Sequence, residues 1–597
     1  MIKDRIAGLR MLMNAKKIDA FIIPSTDPHQ SEYVAAHWKL REYFSGFTGS
    51  AGTLIITQNK ACLWTDSRYF LQFEDECKDS EVILCKQTVP HAPEHVEWLC
   101  NMLDENSVIG LDYKQFSKAQ IDYILGFTGL KNINLQNESD FAKEIWPERP
   151  ELPNNPIELH PLKFSGETTI SKLEKVQQEI RKQQADFYFF SSLDEIAWLF
   201  NIRSKDVDFT PLAMAYALIE QNKATLFCNK DRFSNTAISL LEELSVVVKD
   251  YDELTKILLS LAEGKKIIAD AASLNYEVFK AANGTFVFQS SIVKELKAIK
   301  NKIEIQGARD CMLKDGVALV KFFIWLENEL EKRSVSEYEI GRTLESFRQQ
   351  QEHYVGESFA AIVGYKGNGA IIHYTAAKGG SAMVSNDGIL LIDSGAQYKN
   401  GTTDITRTVW LGGIPSKELK SAYTSVLKGY IELEQLQFPE GTTGAQIDAF
   451  ARVHLWKNGL NYPHGTGHGI GSYGMVHEAA QGFATGATTE RGTSPHLANQ
   501  LTTIEPGCYI ANEFGIRIEN VVLSEIVKET AFGNFLGFEP ITLCCIDTQL
   551  IDESMLTQAE KNWLNAYHKM VIKKLSPLLN ADENAWLEDK CKALIVS

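Results

Sequence analysis

The sequence predicts a mixed α/β (α+β) protein in which two similar α/β domains precede a larger third one. Three observations lead to this fold class: a short internal repeat, a proline-rich linker, and apolar strand-like runs that alternate with helical patterns. At about 100 to 200 residues per domain, 597 residues leave room for three to five domains. We place the domains at residues 1–150, 156–294 and 295–597.

The repeat predicts the first two domains. Residues 19–23 (Asp-Ala-Phe-Ile-Ile) match residues 186–190 (Asp-Phe-Tyr-Phe-Phe), and Gln-Asn-Lys-Ala occurs at both 58–61 and 221–224. Each copy reads as a helix, a buried apolar strand, a loop and a further strand. The matches are short, but two of them in the same order and at nearly the same spacing favour duplication over chance.

Two composition changes mark the domain boundaries. Proline cannot continue a helix or a central strand, so the five prolines at 147, 150, 153, 156 and 161 predict a linker. Further on, the lysine-rich stretch 294–302 precedes a pattern typical of a long helix, which we expect to open the third domain. The residues of that pattern are spaced alternately by four and three: Met312, Gly316, Leu319, Phe323, Leu326 and Leu330.

Charge and apolar patterning exclude several classes of protein. The net charge of −17 and the pI of 5.4 argue against a nucleic-acid binder or a binder of anionic membranes. The chain has no run of about 18 apolar residues, and residues 1–17 predict an amphipathic helix rather than a signal peptide. The ten cysteines are scattered without a framework spacing, which is typical of idle thiols in a reducing compartment. We therefore expect a cytoplasmic protein.

Titratable residues concentrate in the third domain. Two carboxylates come first: Asp393 ends the apolar run 389–392, and Asp404 opens a second strand-like run after an Asn400-Gly401 turn. Two returning strands can bring both carboxylates together, although either one alone would read as a turn or cap residue. Seven of the thirteen histidines also lie between residues 353 and 496 of this domain: His353, His373, His454, His464, His468, His477 and His496.

The segment 464–471 reads His-Gly-Thr-Gly-His-Gly-Ile-Gly. Its four glycines argue against a helix and favour an extended backbone that another group approaches closely. At ~3.3 Å per residue, His464 and His468 would lie about 13 Å apart, too far to hold one ion together. One of them is then a candidate ligand and the other a candidate substrate contact. The segment also satisfies Gly-x-Gly-x-x-Gly, but no buried strand precedes it, so we discard a dinucleotide site.

Two glutamates complete the candidate set. Glu505 precedes a Pro-Gly turn, and Glu519 lies in the strand-like run 516–523, where alternation places it on the same face as Arg517. Burying charges within an apolar strand costs free energy unless they are paired or bound to metal. The simpler alternative is an Arg–Glu pair on a solvated face. His477-Glu478 lacks the second histidine of a zincin motif, and His373 alone would read as a packed core histidine.

Taken together, Asp393, Asp404, His468, Glu505 and Glu519 form an oxygen-rich set with one imidazole. Four carboxylates balance two divalent cations, and hard oxygen ligands favour Mn²⁺ over a thiolate-loving metal. Two ions about 3.5 to 4 Å apart can share a hydroxide and hold the attacked oxygen. The set therefore predicts metal-assisted hydrolysis with two divalent ions, Mn²⁺ first and Co²⁺ or Zn²⁺ as alternatives.

These motifs resemble the pita-bread metallopeptidases. The resemblance lies in Ile-Asp-Ser-Gly at 392–395, Thr-Asp-Ile-Thr-Arg-Thr at 403–408, the glycine–histidine segment at 464–471, Glu-Pro-Gly at 505–507 and Gly-Ile-Arg-Ile-Glu-Asn at 515–520. With two tandem creatinase-like domains in front, the whole chain is similar to the three-domain cytosolic Xaa-Pro aminopeptidases (aminopeptidase P). The resemblance implies hydrolysis of the N-terminal Xaa-Pro bond of peptides by a hydroxide bridged between two metals, and a homodimer formed through the catalytic domain.

The resemblance also implies residue roles. Asp393 would hold the first metal, Asp404 and Glu519 would bridge, and His468 and Glu505 would complete the other site, with Glu505 relaying a proton. The remaining candidates would contact substrate or hold the ligands in place: His464 and His477 at the tetrahedral oxyanion, His373 on the proline side, Arg517 beside a metal-binding carboxylate, and Arg68 from the first domain.

Three alternatives stay open at this point. A prolidase would cut only dipeptides, but its usual single N-terminal domain counts against it. A non-catalytic peptide-binding module, or creatinase-like hydrolysis without metal, would not need all five ligands.

One departure concerns the proline pocket, because Ala479-Ala480 follows His477-Glu478 where the family often has proline. The C-terminal capping box at 557–560 opens a helix with Trp563, Tyr567, Met570 and Lys574, which fits a dimer contact or an ordinary packed helix.

Overall fold

The computed structural model of the chain describes residues 1–88, 93–139, 141–486 and 489–595. The described residues form two compact units. One comprises residues 1–161 and 167–293, and the other comprises 162–166 and 294–597. No helix among the described residues is long and apolar enough to cross a membrane.

The first unit contains two six-stranded sheets with the same topology. In each sheet three inner strands pair antiparallel, one parallel strand flanks them on one side, and two parallel strands flank them on the other. In spatial order the first sheet consists of Ile83–Lys86, Ala61–Thr65, Thr53–Thr57, Ala20–Ile23, Val108–Leu111 and Asn134–Asn137. The second consists of Val246–Lys249, Ala224–Phe227, Tyr216–Glu220, Phe187–Phe190, Lys266–Ala269 and Thr285–Phe288.

The matched strands confirm the predicted duplication. The two repeat segments form the same central strand of their sheets, Ala20–Ile23 and Phe187–Phe190, and every residue in both is buried. A strand that is buried on both faces reads as a continuous apolar run, which explains why the repeat was visible in the sequence. A small two-stranded sheet, Glu158–Leu159 with Ile202–Arg203, follows the proline-rich stretch.

Helices cover both sheets. The first helix, Ile2–Lys16, confirms the amphipathic prediction, since Ile6, Leu9 and Met13 are buried in the core of the first sheet. The others around the first sheet are Leu40–Ser45, Phe70–Glu76, Glu94–Met102, Lys118–Thr128 and Ala142–Ile145. Those around the second sheet are Thr169–Lys182, Leu193–Leu199, Asn235–Glu243, Glu253–Leu259 and Tyr276–Ala281.

The second unit opens, after the helix Ile292–Ala298, with the long helix Lys302–Leu330, as the spacing of its apolar residues predicted. Asn301 caps this helix, and Asn301 and Glu304 form a capping box, which fixes where the helix begins. The other helices of the unit are Leu162–Ser165, Glu337–Arg348, Lys417–Glu434, Gly444–Trp456, Glu490–Thr493, Gln558–Leu575 and Ala581–Lys590. The capping box predicted at Thr557 and Glu560 is present, and the helix that it opens packs Tyr567, Val571 and Leu575 into the core.

The sheets of the second unit carry the candidate site. Two of them matter most: a three-stranded sheet and a six-stranded antiparallel sheet. The first consists of Ile362–Tyr365, Gly388–Ser394 and Ile405–Gly412, and the second of Phe438–Pro439, Gly533–Pro540, Asn520–Thr530, Leu501–Ile504, Gly467–Gly469 and Glu478–Phe483. Smaller sheets pair Gly507–Ile510 with Phe514–Arg517, Val335–Ser336 with Met383–Val384, and join Tyr354–Glu357, Ala396–Tyr398 and Gly401–Thr402.

The mixed sheet-and-helix architecture confirms the predicted α/β class. The proposed domain limits of 150, 156, 294 and 295 stay predictions, because the two compact units are divided near 161–167 and 293 and the first unit holds both small domains. All ten cysteines carry free thiols.

Candidate metal centre

The two aspartates lie on neighbouring antiparallel strands. Asp393 is in Gly388–Ser394 and pairs with Thr406, while Asp404 directly precedes Ile405–Gly412. The turn at residues 399–400 reverses the chain between them, as the Asn-Gly signal predicted. Both aspartates are almost fully buried, with 8% and 4% exposure. Because Asp393 lies within a strand and Asp404 directly precedes one, neither is the turn or cap residue that it would suggest alone.

His468 faces Asp404 and Glu505. Its Nδ1 lies 2.9 Å from the carbonyl oxygen of Gly469. Because a carbonyl oxygen only accepts, Nδ1 must donate, and in the neutral ring Nε2 then carries the lone pair. That Nε2 lies 3.5 Å from Asp404 Oδ2 and 3.6 Å from Glu505 Oε1. Such a fixed tautomer is what a metal-binding histidine requires.

Glu505 and Glu519 lie next to the ends of different strands. Glu505 follows the strand Leu501–Ile504, and its backbone N–H donates to the carbonyl of Thr466, 2.7 Å away. We predicted a single strand through 516–523, and this is wrong: the strand Phe514–Arg517 ends before Glu519, and the next strand begins at Asn520. The chain leaves one sheet and enters another at residues 518–519, because Glu519 N–H donates instead to the carbonyl of Thr406, 3.2 Å away.

Three groups of this set converge closely. One side-chain atom each of Asp404, His468 and Glu519 lie within 4.8 Å of one another, and all three residues are buried. Asp393 and Glu505 are near enough for their charges to raise the pKa of Glu519 further, in addition to its burial. The structure thus brings together all five residues of the predicted ligand set.

Arg517 and Thr406 organise these carboxylates. Arg517 Nη2 donates to Asp393 Oδ2 over 2.5 Å, and its Nε donates to Thr406 Oγ1 over 3.1 Å. The Thr406 hydroxyl in turn donates to Glu519 Oε2 over 2.7 Å. Arg517 and Glu519 are 2% and 1% exposed, so a pair on a solvated face is excluded. The guanidinium orients one carboxylate directly and a second through the threonine.

The cluster carries more negative charge than its own cations balance. Burial, followed by the charges of Glu519, Asp393 and Glu505, raises the pKa of Asp404 well above its usual range. Burial likewise raises the pKa of Glu505 to about 7. Carboxylates that resist ionisation when buried together are those that a bound cation would stabilise.

The donor set fits divalent metal. Asp393 Oδ1 is buried and accepts no hydrogen bond from the described residues, so one carboxylate oxygen is left for another partner. Four carboxylates and one imidazole with a fixed tautomer suit hard divalent ions such as Mn²⁺. The Arg517 guanidinium donates to one oxygen of Asp393. Together these features describe a site that suits cations.

His464 closes a hydrogen-bonded chain that the sequence did not reveal. Arg517 Nη1 donates to the Tyr509 hydroxyl over 2.7 Å, and that hydroxyl lies 2.9 Å from His464 Nε2. His464 Nδ1 lies 2.7 Å from the carbonyl oxygen of Gly465, so Nδ1 donates and Nε2 accepts from Tyr509. Tyr509 was missed because, as one aromatic residue in a short strand, it gives no local signal.

The other predicted substrate residues lie in three different places. The His477 ring packs edge-on against His468, with the ring centroids 4.4 Å apart. His373 is half-buried in a turn that follows the 3₁₀ helix Lys366–Ala370. Arg68 belongs to the first unit, where its guanidinium forms a bidentate pair with Asp66 over 2.8 Å at both contacts.

Thr406 is the second missed residue, and its signal was present in the sequence. Asp404 directly precedes the strand that carries Thr406 and Thr408, and alternation along an extended chain places the three side chains on one face. Thr408 Oγ1 donates to the carbonyl of Arg517 over 2.9 Å, next to the hydrogen bonds of Thr406. A polar face that alternates from a candidate ligand is a usable signal for the groups that support it.

Comparison with known protein families assigns most of the chain. Residues 5–137 and 148–304 match Creatinase/Prolidase N-terminal domains, residues 306–525 match metallopeptidase family M24, and residues 534–594 match the C-terminal region of peptidase M24. The chain is 39% identical to a probable Xaa-Pro aminopeptidase P of Coprinopsis cinerea, over 98% of this chain and 97% of that protein. It is 37% identical to Xaa-Pro aminopeptidase 1 of Dictyostelium discoideum, over 99% and 97% of the two chains.

A solved structure covers the chain end to end. The X-prolyl aminopeptidase of Caenorhabditis elegans superposes with a TM-score of 0.94 at 32% identity and covers 100% of both chains. That protein is described as a cytosolic enzyme with a di-nuclear active site. The likeness extends over both small domains as well as the domain that carries the cluster.

Proposed function

The chain belongs to metallopeptidase family M24, among the Xaa-Pro aminopeptidases P, and from this premise we propose that it removes the first residue of peptides with proline in the second position. The observation that carries the proposal is the buried convergence of Asp404, His468 and Glu519 in the M24 domain. The full-length match to aminopeptidases, including the tandem creatinase-like domains, supports this activity over that of a prolidase.

We assign the metal ligands as Asp393, Asp404, His468, Glu505 and Glu519. The di-nuclear site named for the C. elegans protein supports two ions here, and the oxygen-rich donor set supports Mn²⁺ as their identity. When bound, two divalent ions would polarise the scissile carbonyl and lower the pKa of the attacking water. Asp404 and Glu519 would be the ligands that the two ions share, a role that the family resemblance implies; with His468 they form the part of the set whose atoms converge within 4.8 Å.

Glu505 is our candidate for proton transfer. Its side chain is 19% exposed, compared with 12% or less for the aspartates and His468, so it is the carboxylate nearest to entering substrate. A carboxylate that faces both the cluster and the substrate can accept a proton from the attacking water and deliver it to the leaving amine. Its position is fixed by the backbone hydrogen bond to Thr466.

We assign roles in substrate binding and in positioning to three histidines and two arginines. We assign His477, whose ring packs on His468, to the developing oxyanion, and His464 to the same region through Tyr509. We assign His373 to the proline side, Arg517 to holding Asp393, and Arg68 to substrate from the first unit. Because proline's amide has no N–H, recognition of the second residue must rest on the shape of the pocket.

The substrate panel tests the activity. The protein is stripped with a chelator, reloaded with Mn²⁺, and given Arg-Pro-Pro, Arg-Ala-Ala and the dipeptide Arg-Pro. We expect Mn²⁺-dependent release of Arg from Arg-Pro-Pro, with turnover of Arg-Ala-Ala at least about 100-fold lower, since a misfitting pocket costs several kcal/mol. Cleavage confined to Arg-Pro would mean a prolidase. Bound metal without cleavage of any of the three would mean a peptide-binding module.

We also propose a cytoplasmic location and a homodimer. The location is supported by the description of the C. elegans protein as cytosolic and by the free thiols of the chain. The dimer rests on the family resemblance alone. Sedimentation of the purified protein across a range of concentrations measures its mass directly, and a particle of 67.0 kDa throughout would overturn the dimer.

A further inference from the structure

The lysine-rich stretch before the long helix contains two lysines that are buried instead of solvated. The side chains of Lys297 and Lys300 are each 1% exposed. Both ammonium groups pair with one carboxylate, Glu478, which is itself only 7% exposed. Lys297 Nζ lies 3.1 Å from Glu478 Oε1, and Lys300 Nζ donates to Glu478 Oε2.

Glu478 is the residue directly after His477. It begins the strand Glu478–Phe483, and it pairs with Gly469, the residue directly after His468. The carboxylate therefore holds the chain at the point where His477 packs against His468. A displacement of Glu478 along its strand would carry the His477 ring with it.

Further hydrogen bonds hold the segment that carries Lys297 and Lys300 in place. Lys300 Nζ also donates to the backbone carbonyl oxygen of Lys297 over 2.7 Å, which holds the Lys300 side chain against the backbone of the preceding turn. The backbone N–H of Lys300 donates to the carbonyl of Asn499 over 2.8 Å, and Ile299 forms a β-bridge with Gln500. Gln500 leads into the strand Leu501–Ile504, which Glu505 directly follows. The segment that anchors Glu478 is thus tied by backbone to the strand that precedes another candidate metal ligand.

A second contact holds the other end of the loop before His477. Thr402 Oγ1 lies 3.2 Å from the backbone N–H of Gly474 and accepts from it, and Gln397 Nε2 donates to the Gly474 carbonyl over 2.7 Å. Thr402 Oγ1 also donates to Gln397 Oε1 over 2.8 Å. The loop is consequently held at Gly474 on one side of His477 and at Glu478 on the other.

Holding a strand in place with three buried charges has a high cost in free energy. Desolvating each ion costs several kcal/mol, and well-packed apolar residues of the same volume often give equal or greater stability. What a charged cluster adds is a defined orientation, since each ammonium must meet a carboxylate oxygen. We therefore expect the group formed by Lys297, Lys300 and Glu478 to fix the position of His477 more than it stabilises the fold.

We propose that Lys297 and Lys300 are positioning residues for the Xaa-Pro hydrolysis, acting through Glu478 to hold His477 against His468. The inference rests on the proposed function, because it assigns a role within that reaction. The two lysines do not touch substrate in this scheme. Their effect on turnover passes entirely through the ring of His477.

The test compares Lys300→Met with Lys302→Met in the full-length Mn²⁺-loaded enzyme. Methionine keeps the length of the side chain and removes the charge, and Lys302 is an exposed residue two positions further on, which makes it a matched control. We expect Lys300→Met to lower kcat for Arg-Pro-Pro about 10- to 100-fold with less than a threefold change in KM, as expected for a group that acts in the transition state. Lys302→Met should match the wild type.

A double-mutant cycle separates positioning from general damage. In a His477→Ala background, Lys300→Met should lower kcat by less than about twofold, because the two changes act through one group. A full additional loss in that background, or wild-type kcat in Lys300→Met alone, would overturn the proposal.

A readout without turnover distinguishes this proposal from the proposed function. Hydrogen–deuterium exchange of peptides covering 470–483 should rise in Lys300→Met and stay at the wild-type level in Lys302→Met. If the wild type cleaves no peptide but exchange rises as expected, the proposed function fails while the anchoring of this loop stands. If the wild type is active and exchange does not change, the anchoring itself is refuted.

Discussion

At the scale of single residues, Thr406 shows how an uncharged side chain organises a charged site. Its hydroxyl accepts from Arg517 Nε and donates to Glu519 Oε2, so it couples a buried cation to a buried anion 3.1 and 2.7 Å away. Arg517 extends the same network to Asp393 and, through Tyr509, to His464. Outer groups of this kind set the orientation of metal ligands.

Thr406→Val tests this network, since valine keeps the shape of threonine and removes the hydroxyl. Glu519 and Arg517 would each lose one hydrogen bond in a site closed to water. We expect the affinity for Mn²⁺ to fall about 10- to 100-fold, the usual cost of losing such a group. Titrating the metal-free enzyme with Mn²⁺ while following turnover gives this affinity. An unchanged midpoint would show that the backbone alone orients Glu519.

At the scale of elements, the site depends on strands that approach one another more closely than side chains allow. Gly467 begins the strand that carries His468, and a Cβ atom at this position would lie 1.9 Å from the carbonyl oxygen of Thr503 in the neighbouring strand. Glycine is therefore required here by contact with backbone, which cannot move aside. The glycine–histidine alternation that the sequence shows is in part a consequence of this contact.

Gly467→Ala should push these strands apart and displace His468. We expect loss of bound metal and at least about a 100-fold loss of turnover, because a displacement near 1 Å is enough for that. Gly474→Ala is the control. Gly474 lies in the loop that follows this strand, and a Cβ atom there would meet nothing nearer than 3.7 Å. Metal content by atomic emission and kcat for Arg-Pro-Pro are the measurements. Equal losses in both variants would refute the strand-contact explanation.

At the scale of the whole molecule, stability depends on groups that the chemistry does not use. His496 is fully buried, and its ring stacks on Phe483 with the centroids 4.7 Å apart and lies edge-on to Phe438 and Phe538. Burial lowers the pKa of His496 to about 4.

This shift makes stability depend on pH in one direction. In the unfolded chain the histidine has its ordinary pKa of about 6.5, so acidification protonates the unfolded state first. The stability associated with neutral His496 is complete above about pH 6.5 and is lost as the pH falls towards 4. By this linkage the native state should lose about 2 kcal/mol between pH 8 and pH 5.

His496→Phe should remove that loss, because a phenylalanine fits the aromatic neighbours and takes up no proton. We expect the variant to unfold at a higher temperature than the wild type at pH 5 and to differ less from it at pH 8. Thermal unfolding of both proteins at the two pH values decides the matter. A difference between variant and wild type that is the same at both pH values would contradict the linkage.

Local patterns alone determined much of this protein. The apolar runs at 19–23 and 186–190 identified two related domains because strands buried on both faces are apolar throughout. The long helix and the capping box at Thr557 followed from periodicity and capping chemistry, which act within a few residues. The order of the five candidate ligands, together with the motifs around them, was enough to identify the family.

Only the tertiary structure decided how distant side chains meet. The strand break at 518–519, the Tyr509–His464 contact and the burial of Lys297 and Lys300 have no counterpart in periodicity. A lysine-rich stretch normally marks a solvated surface, and here two of its members pair with a carboxylate 178 and 181 residues away. Periodicity reports the geometry of one segment, whereas the charge and the contacts of a buried group are set by whichever segments the fold brings against it.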